Sequence, residues 1–301
     1  MFENVLVGVD GRAGGRDAIA LASHLIDRDG KLTLVHVHSG GVRLTHPITA
    51  GLAQEEREAA GALLERERER AGAELPAAEL LPVAAPSPGR GLHEQAEQLR
   101  ADLLVVGSTS QGAFGRARLA DHTRAALNGA PCAVAIAPLG YAEHPTPIAK
   151  IGVAYNGTPE SEAALEMARS LAAATRASID ALEVVTIPTA SYGGLAGPAL
   201  GDTINVMIDE ANGRMKALQG VEGRAVYGLA GEELAAFGGE VDLLIVGSRG
   251  YGPVKRLVLG STSDFLERHA RCALLVLPRG VAERGSAGER RDAEAIAHAR
   301  S

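Results

Sequence analysis

The sequence predicts an α/β protein of two tandem doubly wound domains, each with a mainly parallel five-stranded sheet flanked by helices. Two observations predict this class. Short apolar segments alternate with segments whose Ala, Leu and Ile recur at helical spacing, as in strands joined by crossover helices. The chain also repeats itself, because ADLLVVGS at 101–108 matches VDLLIVGS at 241–248, 140 positions later. A repeat of that length is a domain rather than one unit of a solenoid.

The elements of the first copy follow from its residues in order. An apolar run predicts a first strand at 5–9, which ends at Asp10 and Gly11. Small and apolar residues at helical spacing predict a helix at 16–26, and a Glu- and Arg-rich segment predicts a second helix at 53–73 with a solvated face. The other strands are predicted at 32–37, 80–84, 103–106 and 133–137, and a further helix at 92–99.

The second copy repeats this pattern. Strands are predicted at 151–155, 179–186, 224–227, 243–246 and 274–277, and helices at 160–173, 203–218, 232–237 and 263–269. The domains are therefore expected at 1–140 and 150–279. A linker at 141–149 contains Pro145 and Pro147, and a polar C-terminal tail occupies 280–301.

Composition excludes several classes of function. Apolar residues make up 46% of the chain, enough for a sizeable core. A net charge of −7 and an aromatic share of 3% argue against nucleic-acid binding and against an anionic membrane surface. No apolar run reaches the length of a membrane span, and the start is too short and uncharged for a signal peptide. We therefore expect a cytoplasmic protein.

A glycine-rich segment follows the fourth strand of the second copy and leads into a helix. Glycines at 247, 250 and 260 allow the backbone to come close to a phosphate, and Arg249 adds positive charge. Ser261, Thr262 and Ser263 lie where the helix begins, beside free N–H groups and the positive end of its dipole. Ligands of parallel sheets bind at this edge, where the winding reverses. A structural strand–helix turn is the alternative to a phosphate site.

The spacing Gly247, two residues, Gly250, nine residues, Gly260, Ser261 resembles the nucleotide-binding motif of the universal stress protein family, in its tandem-domain form. The resemblance covers residues 2–279. It implies that the second domain binds ATP, with or without Mg²⁺, and that the adenine lies between the ends of the first and second strands. The residues that it implicates, besides those already named in the glycine-rich segment, are Ala154, Tyr155, Asn156, Val184 and Val246. The family usually has Asp where this chain has Asn156.

The first copy departs from the motif. Ser110 and Ala120 replace two glycines, and Asp121 stands where the second copy has Ser261. A carboxylate there would repel a phosphate by about 1 kcal/mol or more in a partly shielded site. We therefore predict that the first domain does not bind ATP in the family manner.

Other candidates are weaker. Cys132 and Cys272 are predicted to be buried structural thiols, since no partner lies at metal-ligand spacing. His36 and His38 share one face of a strand, which permits a metal, although ordinary packing is preferred. His122 is a candidate contact for a different ligand in the first copy.

The function expected from the resemblance is that of an ATP-binding regulator of the stress response, and no set of catalytic residues is recognised. A slow ATPase or nucleotidyl-transfer enzyme and a nucleotide-free interaction scaffold are the alternatives. Family domains commonly pair through their last strands, so 134–137 and 274–277 are expected to pair within the chain and make it a pseudo-dimer. A homodimer of such chains is left open, and the sequence identifies no regulatory protein partner.

Overall fold

The computed structural model describes residues 1–39, 47–72, 75, 77–108, 125–186, 198–248, 257 and 260–278. The strands are β1 (Phe2–Gly8), β2 (Ile26–His38), β3 (Ala78–Ala84), β4 (Leu103–Gly107), β5 (Ala133–Ala137), β6 (Lys150–Ala154), β7 (Ser178–Val185), β8 (Glu222–Tyr227), β9 (Leu243–Gly247) and β10 (Ala273–Leu277). The helices are α1 (Ala13–Leu25), α2 (Pro47–Ala71), α3 (Pro88–Gln98), α4 (Pro159–Thr175), α5 (Pro198–Ala217), α6 (Ala230–Phe237) and α7 (Ser261–His269). The predicted tail at 280–301 lies outside the described residues.

The ten strands form one continuous sheet in the order β3-β2-β1-β4-β5-β10-β9-β6-β7-β8. Within each half the neighbouring strands are parallel, which confirms two doubly wound five-stranded units. The two halves meet where β5 and β10 pair antiparallel. The predicted pairing of the last strands within the chain is therefore confirmed, and it merges the two expected sheets into one.

Helices cover both faces of this sheet and bury two apolar layers. One layer packs α1, α2, α4 and α5 against the sheet, and it includes Ala18, Ala22, Ala164 and Ala168. The other packs α3, α6 and α7 against the opposite face. Small alanines let α1 and α4 lie close to the strands, which suits a chain with few aromatic residues. Both layers contain residues of both domains, so the core is continuous across the β5–β10 junction.

The largest difference from the predicted strand boundaries is at β2. Strand β2 begins at Ile26 rather than at Leu32, and the helix before it ends at Leu25. The added residues after Ile26 are charged or glycine, and Ile26 pairs with Phe2 of β1 ahead of an irregularity in the register. Backbone pairing needs no apolar side chain, which is why an apolar pattern underestimates this strand.

An aspartate at the same place in each repeat ties the start of the fourth strand to the first. The Asp102 carboxylate accepts hydrogen bonds from the N–H groups of Glu3 and Asn4, at 2.7 and 3.0 Å. Asp242 accepts two from Ala149 and Lys150, at 2.9 and 2.8 Å. The repeated Asp before LLVVG and LLIVG therefore serves the fold rather than the site.

The predicted linker packs against the first domain. Asp17 of α1 is buried, and its carboxylate accepts hydrogen bonds from the N–H groups of Gly140 and Ala142, at 3.0 and 2.8 Å. The Tyr141 hydroxyl donates to the carbonyl of Thr146 at 2.9 Å, and its ring is buried beside His24. The chain between the domains is thus held at two points.

Candidate functional site

A cavity opens in each half of the sheet at the carboxyl ends of its first, second and fourth strands. In the second half these strands are β6, β7 and β9, and β6 lies between the other two. The winding reverses at β6, since the chain passes from it to β7 on one side and later to β9 on the other. Such a point leaves a crevice between neighbouring connections, where ligands of open α/β sheets bind.

The second-domain cavity has a volume of about 310 Å³ and brings together most of the residues predicted from the motif. Those lining it are Ala154, Tyr155, Asn156, Val184, Val246, Gly247, Gly260, Thr262 and Ser263. Ser261, the first residue of α7, does not line the cavity, although the sequence placed it with the others. Arg249 and Gly250 lie outside the described residues.

One wall of the cavity is the beginning of helix α7. Gly260 is the N-cap residue, with extended backbone, and its carbonyl accepts a hydrogen bond from the N–H of Asp264. The first N–H groups of a helix have no acceptor within the helix, and the helix dipole makes this end positive. With Thr262 and Ser263 also at the cavity, this wall is suited to an anion.

Ser248 is a cavity residue that the sequence analysis missed. Its N–H donates to the carbonyl of Leu277 at 2.9 Å, which fixes it beside the end of β10. Its side chain is 4% exposed, and its hydroxyl has no hydrogen-bond partner among the described residues. A buried hydroxyl without a partner costs free energy, so Ser248 presents a polar group for a ligand or water to satisfy.

Asn156 forms a turn that begins helix α4. Its Oδ1 accepts hydrogen bonds from the N–H and the hydroxyl of Thr158, at 3.3 and 2.8 Å. Gly157 supplies the positive φ of 73° that the turn needs, and the Thr158 hydroxyl accepts from Ser161 N–H. In the first domain Asp10 Oδ1 accepts the N–H of Arg12 in the same way. Asn can therefore replace Asp here without loss of the turn.

Tyr155 anchors α4 with its side chain. Its ring belongs to the core layer of α1 and α4, and its hydroxyl donates to Glu162. This hydrogen bond, with burial as the second cause, raises the pKa of Tyr155 to about 12. The cavity's apolar wall is formed instead by residues such as Ala154 and Val184, which pack against the opposite layer.

Gly247 permits close packing of helix α4. A Cβ on Gly247 would lie 2.8 Å from both Cβ and the carbonyl oxygen of Glu160, closer than real side chains come. In the first domain Gly107 meets the backbone of Gly14 in the same way. The sequence attributed this glycine to the approach of a phosphate, whereas its immediate neighbour is a helix.

The first-domain cavity lies at the matching strand ends and has a volume of about 360 Å³. Asp10, Val37, Leu92, Val106 and Ser108 line it at the positions that Asn156, Val184, Leu234, Val246 and Ser248 occupy in the second domain. The altered motif residues Ser110, Ala120 and Asp121, with His122, lie outside the described residues. The absence of ATP binding in this domain stays a prediction.

Comparison with known proteins shows the family and agrees with the fold. The model of the universal stress protein family matches residues 1–138 and again residues 147–278. This chain belongs to the universal stress protein family. A universal stress protein from Archaeoglobus fulgidus superposes with a TM-score of 0.60 at 18% identity, over 92% of this chain and 98% of that one. Two proteins from Pseudomonas aeruginosa, one described as functionally unknown and one as a putative universal stress protein, have TM-scores of 0.56 and 0.55 at 16% identity, each over 92% of this chain and 93% of its own length. At these identities the likeness shows the shared fold.

Several residues that line the cavity of this universal stress protein were not predicted from the sequence. Besides Ser248, they are Thr158, Glu160, Ser161, Leu182, Ala230 and Leu234. Leu182 lies in a predicted strand and Leu234 in a predicted helix, but sequence alone does not show which face of each element meets the cavity. Thr158 and Ser161 follow Asn156 directly, so the turn itself was the available signal.

Two of the remaining candidates of this universal stress protein, His36 and His38, lie beside other groups of the fold. His36 Nδ1 lies 2.7 Å from the Val9 carbonyl, and His38 Nδ1 lies 3.6 Å from Glu56. Within the described ranges, no three His, Cys, Asp or Glu side chains are grouped as metal ligands would be. Cys132 and Cys272 are buried, as predicted, and form no disulfide bond. Among the helices described, none has the length and apolar character needed to cross a membrane.

Proposed function

We propose that this universal stress protein binds ATP chiefly in its second domain and acts as a cytoplasmic regulator of the stress response. The observation that carries the proposal is the cavity at β6, β7 and β9, which gathers nine residues implicated by the motif and its family resemblance and ends at the start of α7. Apolar and anion-binding walls thus meet in one crevice, as a nucleotide requires.

The apolar part of the cavity is suited to a purine base. Ala154, Leu182, Val184, Leu234 and Val246 line it with small and branched side chains from three strands and from α6. Pockets for small ligands are mostly apolar, with a few polar groups that fix orientation. The amide of Asn156 stands at the rim and can still donate a hydrogen bond, since its oxygen is committed to Thr158.

The other end of the cavity is suited to phosphates. The start of α7 supplies N–H groups and a positive dipole end, and the hydroxyls of Ser248, Thr262 and Ser263 are at hand. The motif continues from Gly247 through Arg249 and Gly250, which extend the predicted phosphate contacts. Mg²⁺ would then enter with the ATP phosphates, as this ion often does, rather than in a protein cage.

Binding without turnover is favoured by the titratable groups at the cavity. Glu160 is the sole carboxylate among the described residues that line the cavity. The hydroxyl of Tyr155 donates its hydrogen bond to Glu162. ATP hydrolysis needs a positioned base or water, and the sequence identifies no residue in that role. Both cysteines are buried and form no disulfide bond, which is compatible with a reducing compartment such as the cytoplasm.

Two matched variants of the full chain test which domain binds the nucleotide. Val184→Phe narrows the second cavity, and Val37→Phe makes the same change at the equivalent wall of the first. Isothermal titration calorimetry with ATP should show a loss of about tenfold or more in affinity for Val184→Phe, because a filled apolar pocket excludes the base. Val37→Phe should retain the affinity of the unaltered protein.

Circular dichroism and thermal melting check that both variants fold. Loss of binding in Val37→Phe instead would place the nucleotide in the first domain. If the unaltered chain does not bind ATP, the nucleotide-free interaction scaffold becomes the favoured function. Steady release of ADP or pyrophosphate in the presence of Mg²⁺ would show an enzyme and would contradict a purely regulatory role.

A further inference from the structure

Leu257 belongs to the glycine-rich segment of the second domain, yet its described backbone contacts are with the first domain. Its N–H donates to the carbonyl of Ala130 at 3.0 Å, and its carbonyl accepts from the N–H of Gly129 at 2.9 Å. Gly129 and Ala130 follow the helical turn at 125–127 and precede β5. Two backbone hydrogen bonds therefore connect the second domain's motif to the first domain.

The Leu257 side chain strengthens this connection. It is 0% exposed and lies in the core layer that also contains Leu127, Ala130 and Cys132 of the first domain. Full burial of a leucine side chain stabilises the contact because its apolar surface is removed from water. The anchor is therefore a packed side chain as well as a pair of hydrogen bonds.

The anchor lies close in sequence to the anion-binding wall. Gly260, the N-cap of α7, is three positions after Leu257, and Thr262 and Ser263 at the cavity follow within the first turn. A chain of so few residues spans little more than about 10 Å even when extended. The position of Leu257 thus limits where α7 can begin.

We propose that the first domain completes the nucleotide site of the second domain by holding Leu257, so that occupancy of the site and the contact between domains are coupled. This inference rests on ATP binding in the second domain. Coupling is reciprocal, so ATP must strengthen the contact as much as the contact strengthens ATP binding. The first domain then has a role in nucleotide binding even with no nucleotide of its own.

Two residues of the anchor, Leu257 and Gly129, are not repeated in the other direction. At the equivalent positions, 140 residues away, Leu257 corresponds to Ala117 and Gly129 to His269. Gly129 has φ of 89°, which residues with a Cβ rarely adopt, and His269 is the last residue of α7. The leucine side chain and the glycine of this anchor are therefore not repeated in the sequence on the side of the first domain's site.

Gly129→Ala tests the coupling, with Gly72→Ala as its matched control. Both glycines lie in the first domain with positive φ, 89° and 78°, and neither has an atom close enough to clash with an added Cβ. Both variants strain the backbone similarly, but Gly72 has no contact with Leu257. Calorimetry should show ATP affinity reduced about fivefold or more in Gly129→Ala, in the range of typical couplings, and little changed in Gly72→Ala.

Leu257 itself gives a second test. Leu257→Ala should weaken ATP binding, and Leu257→Met should restore most of it, because Met conserves volume in the core layer. Hydrogen–deuterium exchange of the full chain gives a separate readout. ATP should slow exchange in the peptide that contains Gly129, and Val184→Phe should abolish that response.

The outcomes separate this inference from the function on which it rests. No ATP binding by the unaltered chain would overturn both. ATP binding that is equal in the unaltered chain, Gly129→Ala and Leu257→Ala, with all three folded by circular dichroism, would overturn the coupling alone. Slowed exchange at Gly129 that persists in Val184→Phe would show nucleotide in the first domain and would also contradict it.

Discussion

Ala135 of β5 pairs directly with Leu275 of β10 at the centre of the ten-stranded sheet. These two residues occupy equivalent positions in the two repeats, 140 apart. The flanking pairs are Ile136 with Leu274 and Val276 with Val134. Val276 is the repeat equivalent of Ile136, and Val134 is that of Leu274, so exchanging the two domains converts one pair into the other. The two domains are therefore related by a local twofold axis between Ala135 and Leu275, as the subunits of a symmetric dimer would be.

This junction predicts that the two domains unfold together. Leu275 is fully buried, and both core layers cross the junction. Leu275→Ala should lower the free energy of unfolding by about 2–5 kcal/mol, because it leaves a cavity where the layers meet. Urea denaturation followed by circular dichroism measures this free energy, and the whole chain should unfold in a single transition. Leu229→Ala, at a residue that is 60% exposed, should change the free energy little.

Two separate transitions in urea would contradict a shared core, as would a negligible effect of Leu275→Ala. The same reasoning explains why tests of nucleotide binding require the full chain. Separation of the domains would expose β5 and β10, whose five residues each are all buried here. Bare apolar edge strands pair with other chains and aggregate.

Replacement of Gly247 by alanine is predicted to destabilise the protein, unlike the same change at a glycine with free space around it. In Gly247→Ala the new methyl group would meet Glu160 at 2.8 Å, so helix α4 must move away from β9. We expect a loss of about 1–3 kcal/mol in stability from this overpacking, and weaker ATP binding because α4 borders the cavity. Chemical denaturation and calorimetry measure the two effects.

The control is Gly213→Ala within α5, where the added methyl group meets nothing within 4 Å. That variant should gain about 0.5–1 kcal/mol, since alanine is the better helix former. If Gly247→Ala is as stable as Gly213→Ala, the close approach of α4 to Gly247 does not constrain the fold.

Tyr141 and Tyr155 predict a loss of stability in strong alkali. Burial raises the pKa of Tyr141 to about 12, and the hydrogen bond to Glu162 raises that of Tyr155 to about 12. In the unfolded chain both phenols ionise near pH 10. The folded state therefore keeps protons that the unfolded state loses, and this stability is present below pH 10 and disappears as the pH rises to 12.

Phenolate absorbance during an alkaline titration measures this directly. Tyr141 and Tyr155 should ionise late. Tyr141→Phe and Tyr155→Phe should each remove one late phenol, which assigns the signals. Ionisation of both groups near pH 10 in the folded protein would show that neither environment protects the neutral phenol.

Much of the fold was predictable because its signals are local and repeated. The match of 101–108 with 241–248 established two domains, and apolar runs located the strands. The turn at Asn156 and Gly157 and the start of α7 were also recognisable from residue type. These features depend on neighbours in sequence, so one chain is enough to predict them.

The contacts that escaped prediction join residues far apart in sequence. Nothing near Leu257 indicates that its backbone pairs with Gly129 and Ala130, or that Gly247 lies against Glu160. Ser248 was overlooked because a serine after a strand is common, and its significance comes from burial without a partner. Such facts arise from packing, which a pattern of residue types does not encode.

The two cysteines predict that thiol labelling reports opening of the central sheet. Burial raises the pKa of Cys272 to about 12, and Cys132 is also buried. Since the thiolate is the reactive form, a disulfide exchange reagent should modify neither in the native protein and both after denaturation. Val206→Cys, at a position 57% exposed, supplies a thiol that should react at once.

Cys272 immediately precedes β10, so its labelling requires the strand that contains Leu275 to open. If opening is a rapid equilibrium, the labelling rate follows the free energy of opening, and each 1.4 kcal/mol changes it about tenfold. Leu275→Ala should therefore accelerate labelling of Cys272 by about tenfold or more, whereas Leu229→Ala should not. Fast labelling of native Cys272, or equal rates in the two variants, would mean that this thiol is reached without opening the β5–β10 junction.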